Sequence, residues 1–188
     1  MKIIETPIPG LLIIEPRVFA DERGYFFESF SQTKFAENGL ISEFVQDNES
    51  KSHRGVIRGL HYQLAPYAQT KLIRVVRGTV YDVAVDLREG SPTFGKWYGL
   101  EVSASKKNQF YIPKGFAHGF SVLSEYAIFS YKCDAFYNPA AERGIRFDDS
   151  ALAIDWKLPP EEAVISDKDL VHPCLANAEM NFKFESND

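Results

Sequence analysis

Three side chains with complementary proton chemistry lie in segments that have the character of β-strands. One of them is the histidine of Arg58-Gly59-Leu60-His61-Tyr62-Gln63, and Lys71 and Tyr131 follow further along the chain. A histidine ionises near neutrality, a lysine supplies a fixed positive charge, and a tyrosine can deliver a proton as a weak acid. The set predicts removal and return of a proton beside a carbonyl group.

Short apolar or alternating segments dominate the chain and predict an all-β fold. Gly78 separates two of them and predicts a tight hairpin, because glycine tolerates positive φ. Many short strands joined by turns are typical of a sandwich or a barrel. Helical pattern is limited to residues 31–38, with Ser31 as N-cap and Gly39 as stop, and to a weaker segment at 159–163. The predicted strands are 11–14, 24–30, 55–63, 71–76, 79–87, 97–102, 109–112, 119–123 and 127–136.

The composition is that of one soluble globular unit. The 188 residues are 45% hydrophobic and 14% aromatic, which is enough for one sizeable core, so we expect a single domain over residues 1–188. The net charge of -5 gives no basic field for nucleic acid or an anionic membrane. No segment reaches the roughly 20 apolar residues of a membrane span, and the N-terminus lacks a cleavable leader pattern, so we expect a cytosolic protein.

The two cysteines do not predict a metal or redox site. Cys133 lies in an apolar strand pattern, and Cys174 follows His172-Pro173. Neither belongs to a CxxC pair, so we interpret them as buried or incidental thiols.

The segment at residues 79–87 alternates in a way that leaves two arrangements open. Asp82, Ala84 and Asp86 share one face, and four apolar residues share the other. In a solvated sandwich the acidic face would lie outside. In an eight-stranded barrel it could line a polar cavity, because such barrels can hold one small ligand.

Six segments occur together, in one order along the chain: RVFADERG at 17–24, FVQDN at 44–48, RGLHYQ at 58–63, VAVDLR at 83–88, IPKGFAHGF at 112–120 and SDKD at 166–169. Together they resemble the dTDP-4-dehydrorhamnose 3,5-epimerase family, and the similarity runs from about residue 3 to residue 169. The resemblance implies a cupin-type jelly-roll fold with short peripheral helices, a homodimer, and catalysis without metal or organic cofactor. It implies an isomerase that converts dTDP-4-keto-6-deoxy-D-glucose to dTDP-4-keto-L-rhamnose in dTDP-L-rhamnose biosynthesis.

The resemblance also implies catalytic roles for five residues. His61 would be the base that removes the protons at C3 and C5, with Asp169 fixing its tautomer and aiming its other ring nitrogen at the sugar. Lys71 would hold the C4 oxygen as it becomes an enolate, and Tyr131 would return a proton from the opposite face. Asp82 resembles the carboxylate that positions the lysine in family members.

The family resemblance also implies a set of substrate-binding residues. Those implied for the nucleotide are Arg23, Glu28, Gln46, Asp47, Asn48 and Arg58, and those closer to the phosphates and sugar are His118, Glu142 and Lys168. Local Arg and Lys side chains can bind a diphosphate despite the net acidity. Phe26 and Tyr137 are candidates for stacking on the thymine. Arg58 and His61 have opposite parity on an ideal strand, so a bulge at Gly59 is expected if both face one cavity.

A metal-dependent cupin is the first alternative. Many cupins bind a divalent ion through His-x-His, a following Glu and a later His. Here Gln63 replaces the second histidine, and the first glutamate after it is Glu89. His61 and His118 would form an incomplete set, so we expect no metal.

The remaining histidines have simpler interpretations. His118 follows Pro113-Lys114-Gly115, so bracing a turn beside the cavity is as good an interpretation as substrate contact. His53 and His172 have no comparable neighbours in the sequence, and we expect them at the surface.

Other functions on the same scaffold stay open. A single 3- or 5-epimerase, or a 3,4-ketoisomerase, would share the nucleotide-binding residues and differ in the placement of the acid, and Tyr131 at its expected position favours the double epimerase. A non-catalytic sugar-nucleotide-binding cupin is a third hypothesis, although binding alone does not need a proton-transfer set.

The assembly is also open from the sequence. Residues 11–14 could form an edge strand exchanged between subunits, or they could be covered within one chain. We expect the N-terminal strand at a dimer contact and the C-terminal segment packed on the barrel.

Overall fold

The computed structural model describes residues 1–185, which form two facing antiparallel sheets and a separate hairpin. The strands are β1 (Lys2–Glu5), β2 (Leu12–Glu15), β3 (Val18–Asp21), β4 (Gly24–Phe27), β5 (Gln46–His53), β6 (Ile57–Gln63), β7 (Lys71–Arg77), β8 (Thr79–Asp86), β9 (Trp97–Ser103), β10 (Gln109–Ile112), β11 (Phe116–Val122), β12 (Tyr126–Cys133) and β13 (Glu142–Gly144). The helical elements are α1 (Gln32–Glu37), α2 (Asp167–Leu170) and 3₁₀ turns at Pro160–Glu162 and Leu175–Asn177. The predicted all-β class with short helices is confirmed. Within the described part of the chain, no helix has both the length and the apolar character to cross a bilayer.

The strand order interleaves distant parts of the chain. One sheet has the order β1-β2-β10-β7-β12-β5, the other has β13-β6-β11-β8-β9, and β3 pairs only with β4. Strands β6 and β7 are consecutive in the chain but belong to different sheets. His61 on β6 therefore lies opposite Lys71 on β7.

Apolar side chains fill the space between the sheets and cover both outer faces. Phe120 and Phe129, one from each sheet, stack with ring centroids 4.0 Å apart in the central core. The C-terminal segment packs on the outside of the five-stranded sheet through residues such as Trp156, and α1 packs on the six-stranded sheet through Phe35. Both sheets are thus buried on two sides, which suits a polar cavity enclosed between them.

Strand β8 shows the predicted alternation, and its acidic face points inward. Ala84 belongs to the core between the sheets, whereas Val83 and Val85 belong to the outer core. Asp82 and Asp86 are fully buried, so the solvated arrangement of this face is wrong. The hydrogen-bond donors to the Asp86 carboxylate are Arg88, Ser91 and Thr93. Burial would raise the pKa of Asp86, but these donors hold it below its ordinary value.

Four strands escape the sequence pattern, and residues 11–14, for which the sequence left two arrangements open, form an internal strand. Strands β1, β3, β5 and β13 were not predicted, and β5, with the sequence QDNESKSH, has no apolar residue to mark it. Residues 11–14 are covered within the chain, because β2 lies between β1 and β10 and Ile14 is buried. The N-terminal edge is β1.

The expected bulge at Gly59 is present. His61 pairs with His118, and Arg58 pairs with Phe120. Between these two pairs β6 advances by three residues and β11 by two, so β6 contains one extra residue. Gly59 has φ of +123°, and a Cβ there would lie 2.5 Å from the Gly119 Cα. The bulge turns Arg58 to the same side as His61.

Gly59→Ala should destabilise the protein more than Gly24→Ala. Both glycines have strongly positive φ, but a Cβ at Gly24 meets nothing within 4 Å. Each variant should lose roughly 1–3 kcal/mol to backbone strain, and Gly59→Ala should lose about 1–3 kcal/mol more to the clash with β11. Urea unfolding measures the difference. Equal losses of unfolding free energy in the two variants would show that the close approach of β6 and β11 does not restrict the side chain at residue 59.

Candidate active site

A polar cavity of about 310 Å³ opens between the two sheets. The five-stranded sheet contributes His61 to one wall, and the six-stranded sheet contributes Lys71 and Tyr131 to the facing wall. Other predicted site residues on its lining are Asn48, Arg58, His118, Tyr137 and Glu142. The arrangement places a base on one side of the cavity and a cation and a weak acid on the other.

His61 and Asp169 form a hydrogen bond between the barrel wall and α2. His61 Nε2 lies 2.7 Å from Asp169 Oδ1, and the Gly59 N–H donates to Asp169 Oδ2 at 3.3 Å. Ser166 caps α2 by accepting from the Asp169 N–H, which fixes where the carboxylate points. Burial would raise the pKa of Asp169, but the His61 hydrogen bond and charge hold it below its ordinary value.

The low pKa of Asp169 determines the state of the histidine ring. An ionised carboxylate can only accept, so His61 Nε2 carries the proton and donates it. The other nitrogen, Nδ1, makes no hydrogen bond within residues 1–185, and the side chain remains 30% exposed at the cavity. Nδ1 therefore carries the lone pair that can accept a proton from the substrate.

Lys71 presents its ammonium group without a carboxylate partner in the described chain. Its Nζ lies 5.9 Å from the centre of the Tyr131 ring. Burial lowers its pKa, and the nearby Cys133 and Asp82 oppose that change. A cation left unneutralised in this way can bind an oxygen that gains negative charge.

Asp82 makes its hydrogen bond to His118 and acts on Lys71 through its charge alone. Its Oδ1 lies 3.0 Å from His118 Nε2, deep between the sheets. Burial raises the pKa of Asp82 and lowers that of His118, because the interior disfavours charge on either group. His118 lies within β11 rather than at a turn, so the turn-bracing interpretation is wrong and the residue lines the cavity.

Tyr131 has the properties of a weak acid. Burial raises its pKa to about 12, so the hydroxyl stays protonated at neutral pH. No protein group in residues 1–185 hydrogen-bonds to this hydroxyl, which leaves it free for a substrate.

The β5 residues divide between the two faces of the sheet. Gln46 and Asn48 point inward, are half-buried, and are joined by a hydrogen bond of 2.9 Å. Asp47 points outward and pairs with Lys132 at 2.9 Å, beside a second hollow on the outer face. The structure therefore does not bring Asp47 into the cavity with its neighbours.

A hydrogen-bonded trio marks the mouth of the cavity. Glu142 accepts from the Tyr137 hydroxyl at 2.8 Å and from Lys168 Nζ at 2.6 Å. Burial would raise the pKa of Glu142, but these two donors hold it below its ordinary value. Arg58, on the cavity wall, donates through Nε to the Ser52 hydroxyl at 3.0 Å.

Besides Asp47, three predicted substrate residues lie apart from this cavity. Arg23 and Phe26 line a shallow hollow of the exposed β3–β4 hairpin. Arg23 pairs with Asp21, and Glu28 pairs with Lys34 at 2.8 Å. The chain by itself does not bring them to His61.

His172 is a site residue that the sequence reasoning missed. The expectation of a surface position is wrong, because the side chain is only 14% exposed and its Nε2 lies 3.7 Å from Asp169 Oδ1. The available signal was its spacing of three residues from Asp169, next to a helical turn that begins after Ser166.

The cluster of His61, Asp169 and His172 has donor atoms within 4.8 Å of one another, which raises the question of a metal. Two ligands of one tetrahedral zinc lie roughly 3.3 Å apart, given metal–ligand bonds of about 2.0–2.1 Å. The 2.7 Å between His61 Nε2 and Asp169 Oδ1 is instead a hydrogen-bond distance. The geometry favours a hydrogen-bonded cluster.

Comparison with known proteins agrees with this site. The profile of the dTDP-4-dehydrorhamnose 3,5-epimerase family matches residues 5–177. The chain is 57% identical to dTDP-4-dehydrorhamnose 3,5-epimerase of Shigella flexneri, over 90% of this chain and 93% of that protein. The crystal structure of dTDP-4-dehydrorhamnose 3,5-epimerase from Elizabethkingia anophelis NUHP1 superimposes with a TM-score of 0.91 at 56% identity, over 94% and 97% of the two chains.

A further similar structure contains a sugar nucleotide. It is dTDP-6-deoxy-D-glucose-3,5-epimerase from Legionella pneumophila Philadelphia 1 in complex with dTDP-4-keto-L-rhamnose, with a TM-score of 0.90 and 51% identity over 94% of this chain and 93% of that one. With the family profile spanning most of the chain and identities above one half, the sequence and the fold agree: the chain belongs to the dTDP-4-dehydrorhamnose 3,5-epimerase family.

Proposed function

We propose that this enzyme inverts C3 and C5 of dTDP-4-keto-6-deoxy-D-glucose and so forms dTDP-4-keto-L-rhamnose. The observation that carries the proposal is the placement of His61 on one wall of the cavity and of Lys71 and Tyr131 on the other. A sugar ring between these walls has a base at one face and an acid at the other, which is what inversion by proton transfer requires.

The first step is removal of the C3 proton by His61 Nδ1. The electron pair of the C–H bond moves toward the C4 carbonyl and places negative charge on its oxygen. Lys71 stabilises this enolate, and one preorganised donor of this kind contributes on the order of 10²–10³ in rate. Asp169 stabilises the imidazolium that forms, because it already accepts the proton on Nε2.

The second step is delivery of a proton to C3 from the opposite face by Tyr131. Return from the base itself would restore the original configuration, so a second group on the facing wall is needed. His61 then releases the abstracted proton to water, and the Tyr131 phenolate takes up a proton from water. The same cycle at C5, beside the same carbonyl, gives the second inversion.

The nucleotide is proposed to bind toward the mouth of the cavity. Arg58 and Lys168 supply positive charge for the diphosphate, and the exposed Tyr137 ring offers a stacking surface for the base. Glu142 neutralises Lys168 in the free protein. Gln46 and Asn48 add amide groups on the inward face of β5.

A homodimer would complete this site. The β3–β4 hairpin exposes Phe19, Tyr25 and Phe26 by 51%, 58% and 68%, and it also carries Arg23, which the family resemblance assigns to the nucleotide. Because these groups lie outside the cavity of their own chain, we propose that each hairpin contributes to the cavity of a second copy.

Mixing two inactive variants tests this shared site. His61→Ala and Arg23→Ala proteins, after subunit exchange, should recover up to about one quarter of wild-type activity, because each mixed dimer contains one intact site. His61→Ala with Tyr131→Phe is the matched control and should show no recovery, since both changes lie in the same cavity. Absence of recovery in the first mixture, with exchange verified, would contradict the proposal.

The alkaline limb of the pH profile should belong to Lys71. The charged ammonium is the active form, and burial lowers its pKa, so activity should fall as the pH rises through a value below the ordinary one. Lys71→Arg should be slower but should retain activity to higher pH, because a guanidinium stays protonated. Deuterium exchange at C3, measured between about pH 6 and pH 11, gives the profile.

Tyr131→Phe provides the control for this assignment. Because the pKa of Tyr131 is about 12, its ionisation lies beyond the measured range, and the variant should keep the alkaline limb of the wild type. If the alkaline limb moves in Tyr131→Phe and stays in place in Lys71→Arg, it belongs to Tyr131 and not to Lys71.

Proton NMR in deuterium oxide tests the reaction itself. The wild type should incorporate deuterium at both C3 and C5 of dTDP-4-keto-6-deoxyglucose, with or without chelator. His61→Ala should lose exchange at both positions, and Tyr131→Phe should lose the inverted product. Matched controls are His53→Ala, an exposed histidine, and Tyr126→Phe, on the same strand as Tyr131 but outside the cavity.

Each other outcome has a distinct meaning. Exchange at C3 or C5 alone would identify a single epimerase. Binding of the sugar nucleotide without exchange would favour the non-catalytic cupin. Loss of exchange on adding chelator would contradict metal-free catalysis.

A further inference from the structure

His172 packs beside the pair of His61 and Asp169 and does not belong to the cavity lining. Its ring packs edge-on against the His61 ring, with centroids 5.6 Å apart. Its Nε2 is buried and has no hydrogen-bond partner within 3.5 Å, and the nearest carboxylate oxygen is Asp169 Oδ1 at 3.7 Å. A buried polar atom without a closer partner is costly, so its position calls for a physical reason.

The His172 ring lies directly against Gly144, and we call this contact the seat of the ring. A Cβ at residue 144 would lie 2.4 Å from His172 Nε2 and 2.4 Å from its Cδ2. Gly144 also pairs with His61 in the β13–β6 ladder, so the seat and the base are neighbours on adjacent strands. The absence of a side chain at residue 144 lets the His172 ring approach Asp169.

Four charged or titratable groups face His172. They are His61 on β6, Glu142 on β13, and Lys168 and Asp169 on α2. Burial lowers the pKa of His172, and the nearby His61 lowers it further, whereas Asp169 raises it. The ring is therefore neutral at neutral pH, and Nε2 is the ring nitrogen that lies 3.7 Å from Asp169 Oδ1.

We propose that His172 is a positioning residue for the proposed epimerase: seated on Gly144, it directs its Nε2–H at Asp169 Oδ1 and holds the carboxylate ionised and aligned with His61. The inference rests on the proposed function for its kinetic consequence. Its structural content, the tautomer of His172 and the seat on Gly144, does not depend on the substrate.

Two substitutions at residue 172 separate polarity from packing. His172→Phe keeps a ring of similar size but removes the nitrogen, and it should lower kcat about tenfold with little change in KM. His172→Gln keeps an N–H donor near the ε position and should recover most of that loss. A residue that only fills space would give the reverse order.

The pH profile gives a second readout. The acidic limb of kcat/KM reports protonation of the hydrogen-bonded pair of His61 and Asp169, because His61 acts as a base only when its ring is neutral and Asp169 supports it only as a carboxylate. Removing a partner that favours the carboxylate should make protonation of the pair easier, so this limb should move to higher pH in His172→Phe by about half a unit. The acidic limb of His172→Gln should lie between those of the wild type and His172→Phe. An unchanged limb in His172→Phe would overturn the proposal.

Gly144→Ala tests the seat from the opposite side. The φ of Gly144 lies outside the positive range, so alanine fits the backbone and acts mainly by displacing the His172 ring. It should reproduce the kinetic loss in the wild type and cause no further loss in a His172→Ala background. An equal further loss in that background would show that Gly144 acts independently.

A spectroscopic measurement separates failure of this inference from failure of the proposed function. Histidine ¹⁵N–¹H spectra of the free protein, with His172→Gln for assignment, should show His172 protonated at Nε2. Protonation at Nδ1 instead would overturn the proposal even if the epimerase is active. An Nε2–H tautomer in a protein that does not exchange deuterium would retain the positioning role and reject the proposed reaction.

Discussion

The hydrogen bond between His61 and Asp169 is the interaction on which the site depends. It joins a strand of the barrel to a single helical turn 108 residues later in the chain. Because Asp169 is ionised and can only accept, the bond assigns the proton of the ring to Nε2 and leaves Nδ1 for the substrate. The Ser166 cap and the Gly59 N–H hold the carboxylate in place.

The two-sheet architecture accounts for the remainder of the chemistry. Facing sheets enclose a cavity whose walls come from different sheets, so base and acid meet the substrate from opposite sides. The same enclosure changes the properties of the groups inside. Burial raises the pKa of Tyr131 to about 12 and lowers that of Lys71, so one remains a proton donor and the other is a cation sensitive to alkaline pH.

Local patterns predicted the strand faces around the site, the family resemblance supplied most of its residues, and the exceptions have physical causes. The alternation of β8 and the bulge at Gly59 follow from side-chain parity. Strand β5 could not be found, because an edge strand with polar residues on both faces has no hydrophobic period. The hydrogen bond between Asp82 and His118 could not be predicted, because it depends on the register of β8 and β11. His172 was missed because its neighbours include residues of β6 and β13, which are distant in the sequence.

The protonation state of the His61 ring tests the central claim most directly. Long-range ¹H–¹⁵N spectra of histidine-labelled protein at about pH 9, with His61→Gln for assignment, distinguish the two neutral tautomers. The account predicts a proton on Nε2, with a downfield resonance that changes in Asp169→Asn, and an unprotonated Nδ1. A proton on Nδ1 would contradict it, because the lone pair would then point at Asp169 and no base would face the cavity.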